Sequence, residues 1–140
     1  MEKLQRFLKA QERDYERALK EIKNGRKQTH WMWFIFPQIA GLGYSDITKY
    51  YAITNRAEAQ AYISHPVLGK RLVEISHALL ENDGASALKI FGTPDDLKLK
   101  SCMTLFGSLP KADPVFEAVL QKYFEGAKDH RTILLLKSEG

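Results

Sequence analysis

Three side chains in this sequence have the chemistry for acid–base catalysis. His30 could act as a general acid or base, since histidine is the side chain most often used for proton transfer near neutral pH. Asp95 and Asp96 are adjacent carboxylates that could act with His30 on a glycosidic bond. Each residue also has a structural interpretation. A histidine beside tryptophans can be a hydrogen-bonded structural residue, and the first turn of a helix favours acidic side chains.

A second group of residues could hold a flat, negatively charged ligand. Residues 29–38 read THWMWFIFPQ, which places two tryptophans between His30 and Gln38. Aromatic rings stack on ligand rings, and the preceding Arg26 and Lys27 could pair with negative charge on the ligand. The candidate ligand-binding residues are Gln11, Arg26, Trp31, Trp33, Gln38, Lys98 and Ser101.

The alternative is that these residues serve the fold. The apolar run 31–36 must be buried on more than one side, which a short core helix explains. Gln11 lies on the apolar stripe of a predicted helix, where a buried amide needs hydrogen-bond partners. Lysines such as Lys98 on an amphipathic helix are commonly solvated. The residue types alone leave both interpretations open.

The sequence contains none of the common cofactor or metal motifs. Cys102 is the only cysteine, which excludes an internal disulfide and a zinc-type Cys/His spacing. Cys102 falls on an apolar helical face with Leu99, Met103 and Phe106, as an unreactive core thiol would. Neither a GxGxxG nor a Walker loop occurs. We therefore predict no cofactor and no metal site.

The composition is that of a globular protein, with 44% hydrophobic and 27% charged residues. The length of 140 residues predicts a single domain over residues 1–140 with its own core. A net charge of +4 and an isoelectric point near 9.1 favour anionic ligands. Because the basic residues are spread along the chain, we expect no nucleic-acid partner.

The N-terminal residues and the apolar runs indicate neither export nor membrane insertion. The chain is charged from its second residue, unlike a signal peptide, and no apolar run approaches the roughly 18 residues of a membrane span. A single cysteine suits a reducing compartment. We expect a cytoplasmic protein without a membrane partner, and the sequence leaves its oligomeric state open.

Every long segment has helical periodicity, which predicts an all-α bundle of about seven to eight helices. The 31–36 helix is expected to be about two turns long, with Thr29 as its N-cap and Pro37 as its stop. Thr93 is predicted to cap the helix 94–106, with Pro94 in its first position, and Asn55 and Asp129 are predicted to cap the helices that follow them. The predicted segments are 3–24, 31–36, 56–64, 66–82, 86–91, 94–106, 114–125 and 130–137, with a loop at 39–46 and a short capped segment at 46–53.

We expect the functional surface where segment 26–38 meets the start of helix 94–106. Polar groups beside an aromatic cluster cost stability unless they are paired. Pairing His30 and Gln38 with the aspartates at the start of that helix would place all of them around one concave site.

Four stretches together resemble a known family. They read RFLKAQ, GRKQTHWMWFIFPQIAGLG, AYISHPVLGKRL and IFGTPDDLKLKSCMTLF, and they follow one another over nearly the whole chain. This pattern is similar to a widespread bacterial family catalogued as domain of unknown function eighteen-ten. The resemblance implies a small, mostly helical cytoplasmic domain without an established activity. Some genomes label its members calpastatin, a disordered inhibitor, which does not match the core composition of this chain.

Three functions follow from these patterns. The first is binding of a small anionic or nucleotide-like ligand in an aromatic-lined pocket. The second is hydrolysis of such a ligand at a glycosidic bond, with His30, Asp95 and Asp96 as the catalytic residues. The third is a protein-interaction or structural module. Convergence of the candidate residues on one cleft would favour the first two.

Overall fold

The structure, a computed structural model, describes residues 2–139. Within this range a 3-10 turn (Glu2–Leu4) precedes nine α-helices. They are α1 (Gln5–Lys23), α2 (Met32–Ile35), α3 (Asp46–Tyr51), α4 (Arg56–Ser64), α5 (Leu68–Glu81), α6 (Ala87–Phe91), α7 (Asp95–Gly107), α8 (Pro114–Phe124) and α9 (His130–Lys137). The all-α prediction is confirmed. The count exceeds the predicted seven to eight because the short 46–53 segment contains a helix of its own, α3.

The helices surround one continuous hydrophobic core. The apolar stripe of α1, which includes Phe7 and Ile22, packs against α2 and α5, and α8 packs against both α5 and α7. The predicted inner face of α7 is confirmed, since Leu99, Cys102 and Phe106 are all 0% exposed. Removing these side chains from water is the main favourable term in folding. Within residues 2–139, no helix combines the length and the apolar character needed to cross a lipid bilayer.

The aromatic segment 31–36 is buried, except for the half-buried Trp33, but it forms less helix than the sequence predicts. The predicted helix of about two turns is wrong, because α2 has 4 residues. Thr29 is not its N-cap and instead donates its hydroxyl to Glu21. The helix stops at Phe36 because the residue before a proline disfavours helical backbone.

The loop predicted after the aromatic segment closes on itself. Ala40 N donates to Ile53 O and Ile53 N donates to Gln38 O, both at 2.8 Å, in an isolated parallel bridge. The bridge joins the two ends of residues 38–53, which carry α3 between them. We call this segment the 38–53 loop. These two backbone bonds close the loop on itself.

Side chains cap several helices, but not α7 as predicted. Ser45, Asn55, Ser86, Asp113 and Asp129 each accept a backbone N–H at the start of a helix. The prediction that Thr93 caps α7 is wrong: the helix begins at Asp95, and the residue before it, Pro94, makes no side-chain cap. Pro94, in a cis peptide bond with Thr93, lies outside the helix rather than at its first position. Leu97 N and Lys98 N donate to the Pro94 carbonyl instead.

This difference gives a paired stability test. We expect Asp113→Ala to lower the free energy of unfolding by about 1 kcal/mol and Thr93→Ala to change it by less than about 0.5 kcal/mol. Asp113 Oδ1 accepts Val115 N at 2.9 Å, so its loss leaves a helix-end N–H without its partner. Thr93 is exposed and caps no helix. Urea denaturation measures both values, and a larger loss for Thr93→Ala would contradict the helix start described above.

Candidate functional site

The last turn of α1 carries a buried carboxylate that organises the segment after it. Glu21 is 7% exposed. Its Oε1 accepts from Gln28 N at 2.7 Å, Thr29 N at 3.1 Å and Trp31 Nε1 at 2.8 Å. Its Oε2 accepts from Thr29 Oγ1 at 2.7 Å. These bonds fold residues 24–31 back onto α1 and fix the indole of Trp31.

The same hydrogen bonds set the pKa of Glu21. Burial raises the pKa of this carboxyl, but the donors from Gln28, Thr29 and Trp31 favour the charged form more strongly, so the pKa lies below its ordinary 4.5. A carboxylate whose pKa is lower in the folded than in the unfolded state contributes its full stabilisation at pH values above its unfolded-state pKa. That contribution is lost as the pH falls through the lowered pKa of the folded state.

Lys27 joins this segment to the start of α7 through Asp95, which also pairs with Lys98 of the same helix. Lys27 Nζ lies 3.1 Å from Asp95 Oδ2 and 5.2 Å from the centroid of the Trp31 ring. Lys98 Nζ lies 3.4 Å from Asp95 Oδ1 and 5.4 Å from the Trp33 ring. Segment 26–38 and the start of helix 94–106 therefore meet, as the sequence indicates, with Asp95 between two cations.

A cavity of about 380 Å³ opens beside this junction. Three separate parts of the chain line it: the 38–53 loop, the first turns of α7 and the start of α9. The lining residues are Gln38, Leu42, Gly43, Thr48, Pro94, Leu97, Lys98, Ser101, Asp129 and Arg131. The volume lies in the range of small-molecule sites.

The wall of this cavity combines charge with apolar surface. Lys98 and Arg131 supply two cations, and Arg131 Nη2 also donates to the Gly41 carbonyl at 3.2 Å. Asp129 is the carboxylate of the lining, and its Oδ2 accepts from Thr132 N at 2.9 Å and Thr132 Oγ1 at 2.6 Å. Ser101 Oγ donates to the Leu97 carbonyl at 3.1 Å. The lining thus carries two cations, of which Lys98 also pairs with Asp95, and one carboxylate, Asp129.

Trp33 lies next to this cavity in a smaller hollow. The hollow shares Gln38, Leu42 and Thr48 with the main cavity and is also lined by Tyr51. The indole of Trp33 is half-buried, unlike the fully buried Trp31. Of the two tryptophans, Trp33 is therefore the one near the cavity.

Of the predicted ligand-binding residues, the structure brings Gln38, Lys98 and Ser101 together on the cavity, with Trp33 adjacent. Gln11 lies in the core, 2% exposed, and its amide donates to Phe34 O at 2.7 Å and to Tyr62 Oη at 2.9 Å. This is the satisfied core glutamine of the structural interpretation.

The other predicted site residues lie outside the cavity lining. Trp31 is committed to Glu21, and Arg26 and His30 are exposed. Asp95 holds the two lysines. Asp96 Oδ1 accepts from Leu97 N at 2.9 Å, in the first helical turn where the sequence places it. The three predicted catalytic residues are therefore not gathered on the cavity.

Sequence reasoning did not assign Asp129 or Arg131 to the site. Asp129 is predicted as a helix cap, and the structure confirms this role. No pattern in the neighbouring sequence indicates that Asp129 also lines a cavity. Arg131 follows it at the start of a short helix whose pattern is ordinary. Only the packing of α9 on α7 brings both residues to Lys98 and Ser101. Among residues 2–139, no three His, Cys, Asp or Glu side chains cluster closely enough to share a metal ion.

Comparison with known proteins identifies the family. The family described as "Protein of unknown function (DUF1810)" matches residues 1–136. The chain belongs to this family. It is similar to a conserved hypothetical protein, Rv1873 from Mycobacterium tuberculosis, whose crystal structure superposes with a TM-score of 0.94. The two chains are 47% identical, and the match covers 96% of each. No curated protein matches the chain. The family resemblance inferred from the sequence is confirmed, and neither description names a ligand or a reaction.

The role of Glu21 can be tested by changing its charge. We expect Glu21→Gln to lower the free energy of unfolding by about 3 kcal/mol at neutral pH, because one amide oxygen cannot satisfy all the donors that face the carboxylate. The loss should shrink as the pH falls below the ordinary 4.5 and through the lowered pKa of Glu21, since acid protonates Glu21 in the wild type as well. Urea denaturation from about pH 3 to pH 7 measures this dependence.

The matched control is Glu12→Gln, an exposed change on the same helix. It should alter the free energy of unfolding by less than about 0.5 kcal/mol at any of these pH values. A loss for Glu21→Gln that stays constant with pH, or that equals the loss for Glu12→Gln, would contradict the assignment of Glu21 as a charged acceptor.

Proposed function

We propose that this protein binds a small anionic, ring-containing ligand, such as a nucleotide, in the cavity between the 38–53 loop, α7 and α9. The observation that carries the proposal is the placement of Lys98 and Arg131 on one cavity of about 380 Å³. Positive charge on a concave wall attracts and orients an anion. A few polar groups that converge on apolar walls are typical of a small-molecule site.

The polar lining fits a phosphate group in particular. The guanidinium of Arg131 presents donors in a planar fork that matches phosphate oxygens, while Lys98 offers a more compact charge. Ser101 lies on the same cavity as Lys98, one helical turn along α7. A phosphate at this place would lie between cations from two different helices.

The remainder of the lining fits an uncharged ring. Leu42, Leu97 and Pro94 provide apolar surface, and the Gln38 amide and Thr48 hydroxyl can donate or accept hydrogen bonds. Trp33 in the adjacent hollow extends this surface. A ligand with a phosphate at the α7–α9 side and a ring toward the 38–53 loop would use all of these groups.

Binding is favoured over hydrolysis by where the acid–base candidates lie. His30 and Asp95 do not line the cavity, and Asp95 is engaged by two lysines. Asp129 does line it, but one of its oxygens caps α9. We therefore assign these residues no catalytic step. A cytoplasmic location, expected from the single cysteine, forms part of the same proposal.

The test is thermal unfolding with adenosine 5′-monophosphate, ribose 5-phosphate and adenosine at matched concentrations. We expect AMP to stabilise the wild type most, because only AMP supplies both the phosphate and the ring. At 100 times the dissociation constant the gain would be about 2.7 kcal/mol, or several degrees in Tm. Arg131→Ala and Lys98→Ala should each lose most of the shift caused by AMP, measured from their own unliganded Tm.

Lys128→Ala is the control, because it removes an exposed positive charge close in sequence that does not line the cavity. It should respond to AMP as the wild type does. Adenosine that stabilises as well as AMP would contradict the role of the cations. A wild-type Tm unmoved by all three compounds at millimolar concentration would contradict the proposed ligand class.

A further inference from the structure

Five basic residues of α1, together with one in the preceding 3-10 turn, form a stripe on one side of the helix, and none of them lines the cavity described above. From the 3-10 turn onward they follow one another at intervals of three or four residues, which places them on one helical face. They are Lys3, Arg6, Lys9, Arg13, Arg17 and Lys20. At the rise of an α-helix, the part of the stripe within α1 extends about 20 Å.

Acidic side chains pair with some of the basic residues of this stripe and not with others. Arg6 pairs with the buried Glu58 at 3.3 Å, and Asp14 pairs with both Arg13 and Arg17. Lys9 makes no ion pair with any residue from 3 to 139, and Arg13 keeps 76% of its side chain exposed. Glu16 precedes Lys20 by four residues and offsets the far end of the stripe. The excess of positive charge is therefore greatest between Lys3 and Arg13.

An exposed aromatic ring lies beside this charged end. Tyr50 is 61% exposed, and its ring packs edge-on against Tyr51 at 4.8 Å between centroids. Arg6 fixes the backbone that carries it, donating to Tyr50 O at 2.8 Å and to Ala52 O at 2.9 Å. The ring is thus held at a defined place on α1 although its surface remains open to solvent.

Two neighbouring hollows flank this position, with volumes of about 360 and 390 Å³. Tyr50, Arg6 and Lys9 line both; Lys3 lines the first and Arg13 the second. Among the side chains that the structure describes, from residue 3 to residue 139, no carboxylate lines either hollow. The surface therefore offers two adjacent recesses with cationic walls and a shared aromatic ring.

We propose that this face of α1 binds single-stranded nucleic acid, with phosphates along Lys3, Lys9 and Arg13 and a base stacked on Tyr50. Single strands are bound by the combination of a positive track for the backbone and an aromatic ring for the bases. A lipid surface would require apolar residues to insert, but the residues around these hollows are cationic and aromatic. The spread of basic residues in the sequence predicts no nucleic-acid partner, whereas α1 and the preceding 3-10 turn gather six of them on one face.

The test is fluorescence anisotropy with labelled oligonucleotides of about 12 nucleotides, one of deoxythymidine and one of uridine. With three phosphate contacts the slope of log affinity against log salt should be about −2. Tyr50→Ala should weaken binding at least about 5-fold through lost stacking, and Tyr50→Phe should retain it. Lys9→Ala should reduce the magnitude of the salt slope by about 0.7.

Two controls match these changes elsewhere on the surface. Lys70→Ala removes an exposed lysine from α5, and Tyr44→Ala removes an exposed tyrosine from the 38–53 loop. Both should bind the oligonucleotides as the wild type does, and circular dichroism checks that every variant is folded. AMP binding in the other cavity is measured in a separate experiment. Failure of the proposed oligonucleotide binding would therefore not imply failure of the proposed AMP binding, or the reverse.

Any of three results would overturn the proposal. The first is no binding of either oligonucleotide at low salt. The second is an affinity loss in Lys70→Ala or Tyr44→Ala as large as that in Lys9→Ala or Tyr50→Ala, which would indicate unspecific attraction. The third is tighter binding to vesicles containing phosphatidylserine than to the oligonucleotides, which would assign the face to an anionic membrane.

Discussion

The buried carboxylate of Glu21 is the constraint on which the candidate site depends. It accepts two backbone N–H groups, one hydroxyl and one indole N–H from residues 28–31, so a segment without regular structure is tied to the end of α1. A buried charge is tolerable only when it is satisfied in this way. The hydrogen bonds also place Trp31 under Lys27, whose ammonium reaches Asp95 at the start of α7. Through this chain of contacts, α1 determines where the aromatic segment meets α7.

A second carboxylate, Glu58, fixes the C-terminal end of the 38–53 loop in the way that Glu21 fixes residues 24–31. It accepts from Thr54 N at 2.7 Å and pairs with Arg6 at 3.3 Å. Burial raises its pKa, but these contacts hold the pKa below its ordinary value. Buried charges thus help to fix both segments, in addition to the backbone bridge that closes the 38–53 loop.

The sequence predicts what depends on neighbours along the chain. Helical periodicity gives the all-α fold and the inner face of α7, and residue types give caps such as Asn55 and Asp129. Prediction fails where a competing tertiary contact decides. Thr29 donates its hydroxyl to Glu21 instead of capping α2. Helix α7 begins at Asp95, after Thr93 and Pro94, rather than at Pro94. The meeting of segment 26–38 with α7 is predicted, because polar groups beside aromatic residues need partners.

The lining of the candidate site is predicted only in part, for the same physical reason. Gln38, Lys98 and Ser101 stand out locally as polar residues beside apolar ones, so they can be selected from the sequence. Arg131 reaches the cavity only because α9 packs on α7, which no local pattern encodes. The clustering of charge on α1 is visible at helical spacing, but the neighbouring Tyr50 comes from a distant segment. Both surfaces are products of tertiary packing.

The most direct test of this account uses the two tryptophans as probes in a ¹H–¹⁵N correlation spectrum titrated with AMP. The account predicts that the indole N–H of Trp33 shifts, together with the backbone amides of Leu42, Thr48 and Arg131. It also predicts that the indole N–H of Trp31, held by Glu21 in the core, keeps its position. Shifts confined to Trp31, or a spectrum in which Trp33 and the cavity amides stay unchanged at saturating AMP, would contradict it.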